Sequence, residues 1–375
     1  MDIDWASADL SPGAEIAKLM TDVAEPDTES FGRAEWRRCA ELGLTGLSAP
    51  AADGGAGLGF GATARVTEAF GRYCPDMGLT FGVLAHLFAC VMPIAEHGSE
   101  RLRAELLPGL CSGALIGANA ITEEHAGSDV SALAARAVPV PHGYRLRGVK
   151  TFVSNAPVAD IFLVYAVTRP EFGHLGLSAF AVDAATPGLT VSAPLPKAAL
   201  TRCPAGQVVM DDCFVPASRM LGSDGRGAPI FQASMRWERT CLFAAYLGQS
   251  ARLLERCVAH ARARRQFGAP IGANQAVAHP IARMWMRLQA AKGLLERACE
   301  RLDRGERAVA EVAMAKLAVS ENAVQTAYET VRLFGGIGIL DSCGVERELR
   351  DALPCTTFSG TSEMQLEQIA KELGL

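Results

Sequence analysis

The sequence predicts an α+β protein in which helix dominates. Apolar residues recur at helical spacing before about residue 117 and after about residue 226, whereas short β-branched runs punctuated by Gly, Pro, Asn and Asp fill the residues between. Helices and strands occupy separate regions instead of alternating, which argues against a doubly wound fold. We therefore expect a helical domain over 1–117, an antiparallel β domain over 118–225 and a helical bundle over 226–375.

The first region shows helical patterning in several segments. Apolar residues recur at helical spacing over 15–23, 31–42, 62–73 and 99–110. Residues 77–95 are nearly all apolar, but His86 and Pro93 interrupt them and acidic residues flank them, so we expect a buried core helix and no membrane span. The glycine-rich segment 50–61 lacks G-x-G-x-x-G, which favours a structural loop.

The second and third regions differ in the length of their elements. The short β-branched runs lie at 144–147, 148–150, 151–154, 161–168, 178–182, 189–192 and 206–211, and their spacing predicts a small antiparallel barrel or sandwich. The long helical segments lie at 230–264, 275–302, 308–334 and 361–373. Short loops between long helices are typical of an antiparallel bundle.

Composition excludes several classes of protein. The 375 residues are 49% hydrophobic and 21% charged, which is typical of a globular protein and not of a disordered one. The net charge of −5 argues against a nucleic-acid partner. Eleven cysteines without a C-x-x-C pair argue against a disulfide framework and against a metal site. The N-terminus has no secretion signal, so we expect a cytoplasmic protein.

Four segments carry side chains or glycines suited to holding a phosphorylated or aromatic group: 118–129, 150–156, 262–268 and 333–338. Hydroxyls beside a glycine, an aromatic residue near a serine on a strand, and arginines before a Gly-Pro turn all fit such a group. Each segment also has a structural alternative: a capped polar loop, a core-facing strand, a solvated basic face and a helix C-cap.

The order of the motifs carries more information than any one of them. The segments ITEEHAGSD, KTFVSNA, RRQFGAPIGANQAV, FGGIGIL and SGTSEMQ, in that order, resemble the acyl-CoA dehydrogenase superfamily over nearly the whole chain. The resemblance implies three domains that end in a four-helix bundle, FAD bound between the β domain and the bundle, and a homotetramer. It also implies oxidation of an acyl thioester across the α,β bond.

The resemblance assigns FAD contacts residue by residue. The loop after the first region matches the flavin loop, the aromatic and hydroxyl on the strand match residues that flank the isoalloxazine, and the third motif matches residues that reach the FAD of a neighbouring subunit. Arg332 departs from the glutamine that the family usually has. The implied cofactor residues are Ile121, Thr122, Gly127, Ser128, Phe152, Ser154, Arg264, Phe267, Gln275, Gly335, Gly336, Thr361, Ser362 and Glu363.

Thioester dehydrogenation needs a base for the α-proton. In most of the family a glutamate precedes Gly-Thr-Ser, but here that residue is Ser359. Isovaleryl-type and long-chain-type members carry the glutamate at the start of the bundle, followed by arginine, and Glu238-Arg239 matches that position. Glu238 shares a helix face with apolar residues, so we expect it to be the base, with a raised pKa; the alternative is a surface ion pair. The apolar residues are Met235, Leu242 and Ala245.

A closer resemblance concerns the substrate. The segments SMRWERTCLFAAYLG, SNAPVADIFLVYAVTRPEFG, CPAGQVVMDDC and FSGTSEMQ are similar to dehydrogenases that oxidise L-proline held as a thioester on a peptidyl carrier protein, giving a pyrrole-2-carboxyl thioester. The resemblance implies a carrier-protein partner and substrate contacts from Ser128, Arg239 and Ser359. Trp237 and Tyr246 either crowd the substrate cavity or belong to the core. An isovaleryl-type acyl-CoA dehydrogenase and a non-dehydrogenating flavin-binding relative remain alternatives.

Overall fold

A computed structural model describes residues 31–375, so the helix expected over 15–23 lies outside the described residues. Helices form where the apolar spacing predicts them, and Asp76 shows how one begins. Its carboxylate accepts hydrogen bonds from the N–H groups of Gly78 and Leu79 at 2.9 and 3.1 Å, which satisfies the free donors of the first turn. The helices of the first region are α1 Arg33–Glu41, α2 Phe60–Tyr73, α3 Met77–His86, α4 Met92–His97 and α5 Glu100–Cys111.

Helices α3 and α4 are joined by a π-helical segment, Leu87–Val91, so that Met77–His97 runs as one helix. Among the described residues it is the one helix with the length and apolarity to cross a membrane, yet 89% of its most apolar window is buried inside the protein. The stretch is therefore a core helix, as predicted from its interrupting His and Pro residues.

The middle region forms one eight-stranded sheet. The strands are β1 Gly117–Ala120, β2 Arg136–Val140, β3 Gly143–Ser154, β4 Ile161–Val167, β5 Leu177–Asp183, β6 Leu189–Val191, β7 Ala205–Pro216 and β8 Met220–Leu221. Their order in the sheet is β6-β7-β3-β2-β4-β5-β8, and β1 pairs with β4. Most pairings are antiparallel, as predicted, but β1 and β2 each pair with β4 in parallel.

Strand β3 corrects the expectation of three short runs, because the structure has a single strand of 12 residues there. Its pairing with β7 shifts register between Leu146 and Gly148 and again between Lys150 and Val153. Such bulges break the alternation of apolar and polar residues that a sequence reading relies on. The second bulge lies at the predicted cofactor residue Phe152.

Strand β4 separates two apolar cores, because every one of its side chains is buried. Phe162 and Val164 face the core inside the β domain. Leu163 and Tyr165 point the other way and join the larger core formed with the helices. The sheet is thereby packed against the helical regions.

The C-terminal region begins with one long helix that a π-helical segment, Glu238–Leu242, interrupts. All but one of the helices described for this region were predicted from the sequence. The short helix over 345–352 was missed because glycines and turns precede it and hide its start. The helices are α6 Gly227–Trp237, α7 Phe243–Ala263, α8 Gln275–Asp303, α9 Val309–Phe334, α10 Val345–Ala352 and α11 Ser362–Glu372. A two-stranded hairpin links α7 to α8, with β9 Arg265–Gln266 and β10 Ala269–Pro270.

Candidate active site

A cleft of about 500 Å³ lies between the sheet and the C-terminal helices. It is bounded by β1 and the loop after it, by β3, by α3, by the region where α6 meets its π-helical segment, and by the turn at 357–360. Residues predicted for the site from distant parts of the chain meet there. Those that line the cleft are Ile121, Thr122, Gly127, Ser128, Phe152, Ser154, Glu238, Arg239 and Ser359.

A buried ion pair holds the loop after β1. Lys150 of β3 is fully buried, and its Nζ donates to Glu123 Oε1 at 2.7 Å and to the Ile121 carbonyl at 2.9 Å. The Glu123 carboxylate also accepts from the N–H groups of Ala134 and Ala135. Burial opposes the ionisation of Glu123, but the Lys150 hydrogen bond and the two N–H groups outweigh it and keep the pKa below its usual value. Both charges are satisfied, so the loop has one fixed position against β3.

Phe152 presents a large apolar ring to the cleft from a strained backbone. Its φ is +54°, and its side chain is 69% exposed. The preceding N–H, from Thr151, donates to the Thr122 carbonyl at 2.8 Å, so the flavin loop and the bulge of β3 are tied together. Positive φ at an aromatic residue costs about 1–3 kcal/mol and is concentrated at functional sites.

Glu238 is the carboxyl group of the cleft, and burial raises its pKa. It is the first residue of the π-helical segment and is 8% exposed. Burial raises its pKa to about 7, and the hydrogen bond from Ser359 and the charge of Arg239 oppose that rise. Its Oε1 is buried without a hydrogen-bond partner among the described residues. A buried acceptor left unpaired costs about 1–3 kcal/mol, and such groups often have a chemical role.

The π-helical segment determines where Glu238 lies. A π segment leaves backbone carbonyls outside the regular ladder, and here side chains satisfy them. Thr67 Oγ1 donates to the Cys241 carbonyl at 2.6 Å, and Thr240 Oγ1 donates to the Arg236 carbonyl at 2.6 Å. A π-helical turn holds one residue more than an α-helical turn, so the helix face shifts at this point and the Glu238 carboxyl group reaches the cleft.

The turn at 357–360 completes the site opposite Glu238. Ser359 Oγ donates to Glu238 Oε2 at 2.6 Å, and Arg239 Nε donates to the Ser359 carbonyl at 2.8 Å. Ser359 has φ +53° and Gly360 has φ +91°, so two consecutive residues are left-handed. Arg239 and Ser359, both predicted as substrate contacts, therefore contact each other, and Ser359 contacts the carboxyl group.

Three family models together match almost the full length of the chain. The acyl-CoA dehydrogenase N-terminal domain matches residues 13–114, the middle domain 118–213 and the C-terminal domain 225–374. The chain belongs to the acyl-CoA dehydrogenase family. The family membership and the three-part fold expected from the motif order are thereby confirmed.

Two similar members of the acyl-CoA dehydrogenase family have the same name. An L-prolyl-[peptidyl-carrier protein] dehydrogenase of Pseudomonas fluorescens is 50% identical over 100% of both chains. A protein of the same name from a Serratia species is 43% identical and covers 91% of this chain and 88% of its own. A solved structure, "PigA with FAD and proline", is 39% identical, covers 100% of both chains and superimposes with a TM-score of 0.94.

The other cofactor residues suggested by the likeness to acyl-CoA dehydrogenases do not line the cleft of the single chain. Phe267 is fully exposed at the tip of the hairpin between α7 and α8, with φ +52°. Gly335 and Gly336 follow the end of α9 in a 3-10 turn. Thr361 caps α11. The roles of this set stay predictions; its members are Arg264, Phe267, Gln275, Gly335, Gly336, Thr361, Ser362 and Glu363.

Sequence reasoning missed several residues of the cleft and its support. Lys150 and Glu123 fall inside quoted motifs, but only the fold shows that they pair. Trp237 and Tyr246 do not line the cleft: Trp237 stacks on Phe60 at 3.7 Å between ring centroids, and Tyr246 is fully buried, so both belong to the core. Asn119, Phe358 and Met364 also line the cleft; they lie in quoted segments but were given no role. The cleft residues that no motif indicated include Phe81, Phe231, Gln232 and Gln368.

Proposed function

We propose that the protein oxidises L-proline held as a thioester on the phosphopantetheine of a peptidyl carrier protein, with FAD as cofactor, to the pyrrole-2-carboxyl thioester. The observation that supports this most is the buried carboxyl group of Glu238 in the cleft. One of its two oxygens has no hydrogen-bond partner among the described residues. The named activity of the two relatives at 50% and 43% identity supports the substrate.

The residues of the cleft fit FAD. The Phe152 ring offers a flat apolar surface, and a Cβ at Gly127 would meet nothing within 4 Å, so the backbone there is open to a bulky group. The hydroxyls of Thr122 and Ser128 lie at the same wall and supply hydrogen bonds. These residues would hold the flavin, together with Ile121 and Ser154. FAD supplies the acceptor for the hydride that leaves the substrate β-carbon.

Glu238 then takes the α-proton. The α-proton of a thioester is weakly acidic, so the base needs a pKa near the working pH. Burial raises the pKa of Glu238 to about 7, which meets that condition. The ionised form is the base, so the rate of proton removal rises with pH up to about 7. Loss of the proton and the hydride removes two hydrogens. A second two-electron oxidation removes two more to give the aromatic ring, and it would require an external electron acceptor that reoxidises the cofactor after the first.

An apolar wall next to Glu238 suits a small ring. Phe81 and Phe358 pack with ring centroids 4.7 Å apart, and both line the cleft with Leu242. Apolar surroundings exclude water and keep the carboxyl group from being solvated. The wall therefore serves both to bind the pyrrolidine ring and to maintain the basicity of Glu238.

The protein is proposed to act as a cytoplasmic homotetramer. Phe267 is fully exposed, and it is one of the residues that the family resemblance places against a neighbouring subunit's FAD. An open apolar groove between α7 and α8 is lined by Val258, Ile281 and Trp285. Exposed apolar surface of this kind is typical of contact sites. Sedimentation of the FAD-loaded protein tests the tetramer, and a monomer at micromolar concentration would overturn it.

One experiment tests the reaction. The FAD-loaded protein is mixed with carrier protein bearing L-proline, first without oxygen to follow flavin reduction and then with oxygen, which reoxidises the flavin. The mass of the tethered acyl group is then measured. Loss of four hydrogens is expected. Loss of two would indicate a pyrroline product, and an unchanged prolyl group would overturn the proposal and direct the search to short branched acyl-CoA substrates. In Glu238→Gln, FAD should stay bound while reduction by substrate is lost.

A further inference from the structure

Among residues 31–375, a single side chain donates a hydrogen bond to the carboxyl group of Glu238. Ser359 Oγ donates to Oε2 at 2.6 Å, whereas Oε1 has no partner among residues 31–375. The two oxygens are therefore not equivalent. A carboxylate that accepts a single short hydrogen bond is oriented by it, and the oxygen without a partner is left to take a proton.

The backbone that carries the Ser359 hydroxyl is held from three sides. Arg239 Nε donates to the Ser359 carbonyl at 2.8 Å. The preceding Phe358 packs against Phe81 and Phe243, with ring centroids 4.7 and 5.2 Å away. The following residue, Gly360, has φ +91°, and a Cβ there would come within 2.7 Å of the Gln365 amide nitrogen. The backbone of Ser359, at φ +53°, is thus held in a conformation that a serine rarely adopts alone.

We propose that Ser359 is a positioning residue for the α-proton transfer, which fixes Oε2 of Glu238 and presents Oε1 to the substrate α-carbon. The inference rests on the proposed function, in which Glu238 is the base. It assigns Ser359 a role toward the base, not toward the substrate, and gives a chemical use to a left-handed serine at the position where most of the family carries the base itself.

The other charged or titratable groups around the carboxyl do not replace this hydrogen bond. Arg239, the next residue, acts on Glu238 through its charge while its Nε donates to the Ser359 carbonyl. Tyr165 approaches from β4, and its hydroxyl is buried without a hydrogen-bond partner among the described residues. Lys316 of α9 acts on Arg239 and packs against Phe243. Within the described residues, Ser359 is therefore the donor to this carboxylate.

The test compares Ser359→Gly with Ser359→Ala in the FAD-loaded protein. Both remove the hydroxyl, but glycine suits φ +53° and alanine does not, so the pair separates the hydroxyl from the backbone. Flavin reduction by prolyl-carrier protein is followed in single turnovers from pH 5.5 to 9.5. A hydrogen bond to the ionised form lowers its pKa, so its loss should move the acidic limb of the rate about one pH unit upward in both variants, with about a tenfold slower reduction at pH 6.5.

A second measurement does not depend on turnover. The effect of Glu238→Gln on thermal unfolding of the FAD-loaded protein is measured at pH 8.5, first with Ser359 in place and then in the Ser359→Gly background. Glu238→Gln should raise the unfolding temperature more in the Ser359→Gly background than with Ser359 in place, because the carboxylate in that background has lost its hydrogen-bond donor.

The outcomes are separable. An unchanged acidic limb in both variants, or a shift in Ser359→Ala without one in Ser359→Gly, overturns the role of the hydroxyl. The identity of the base is decided separately by Glu238→Gln with Ser359 intact. Normal flavin reduction in that variant would overturn the proposed base, whatever the serine variants do.

Discussion

Lys150 Nζ lies 2.7 Å from Glu123 Oε1 inside the β domain, and the same ammonium donates to the Ile121 carbonyl. The lysine comes from β3 and the glutamate from the loop after β1. This single pair thus joins the two chain segments that form the proposed flavin wall of the cleft. A largely buried ion pair therefore holds the loop against β3.

Lys150→Met should cost about 3–5 kcal/mol of unfolding free energy, because it leaves the Glu123 carboxylate buried without its cation. The variant should also purify with less FAD, since the loop loses its anchor. Urea unfolding and the ratio of flavin to protein absorbance check both effects. Arg147→Met on the same strand is the control: its pair with Asp212 is largely exposed, so a loss below about 1 kcal/mol and normal flavin content are expected. Equal behaviour of the two variants would contradict the anchoring role.

Glu238→Gln should stabilise the protein above neutral pH. The folded pKa is raised from 4.5 to about 7, so the protonated carboxyl favours the fold, and that advantage is complete below about pH 4.5 and lost as pH rises through about 7. The difference of about 2.5 pKa units corresponds to at most about 3 kcal/mol. Unfolding free energies at pH 5, 7 and 9 should show a gain for glutamine that grows with pH and levels off above 7. A gain independent of pH would show that burial does not act on the ionised form.

Phe152→Gly should separate stability from cofactor binding. Glycine relieves the positive φ at this position, which offsets part of the cost of losing an exposed side chain, so the protein without FAD should keep its stability to within about 1 kcal/mol. FAD binding should weaken by at least about tenfold, because the aromatic surface is gone. Thermal unfolding without FAD and a flavin fluorescence titration measure the two quantities. Val149→Gly, at an exposed position of the same strand, should leave FAD binding unchanged.

Lys316→Met should stabilise the protein at neutral pH. Its side chain is fully buried on α9, Nζ has no hydrogen-bond partner among the described residues, and the Phe243 ring lies 5.1 Å away. Burial lowers the pKa to about 8, so the folded protein bears a penalty that develops as pH falls from about 10.5 to 8. In urea unfolding, the free energy of unfolding of Lys316→Met is expected to exceed that of the unchanged protein by about 1–3 kcal/mol at pH 7, and by less near pH 10. A loss at both pH values would mean that the cation–π contact outweighs burial.

The sequence alone determined the order of the three regions, and its resemblance to the acyl-CoA dehydrogenases singled out Glu238 as the candidate base. Helical spacing placed most helices within a few residues of their observed ends, because the apolar face of a helix is set by its own residues. The apolar neighbours of Glu238 predicted a buried carboxyl group, and the structure places it there. The separate runs predicted over 144–154 became one strand, because a bulge is defined by its partner strand and not by its own residues.

Only the tertiary structure decided how the site is assembled. Glu238 and Ser359 are 121 positions apart, and Lys150 and Glu123 are 27 apart, so no local pattern indicates either hydrogen bond. The π-helical turn that aims Glu238 depends on Thr67, a residue of another helix whose hydroxyl satisfies the Cys241 carbonyl. Local sequence determines which face of an element is apolar, but the partner that each buried polar group finds is settled only when distant elements pack together, because that pairing is what offsets the free energy lost on its burial.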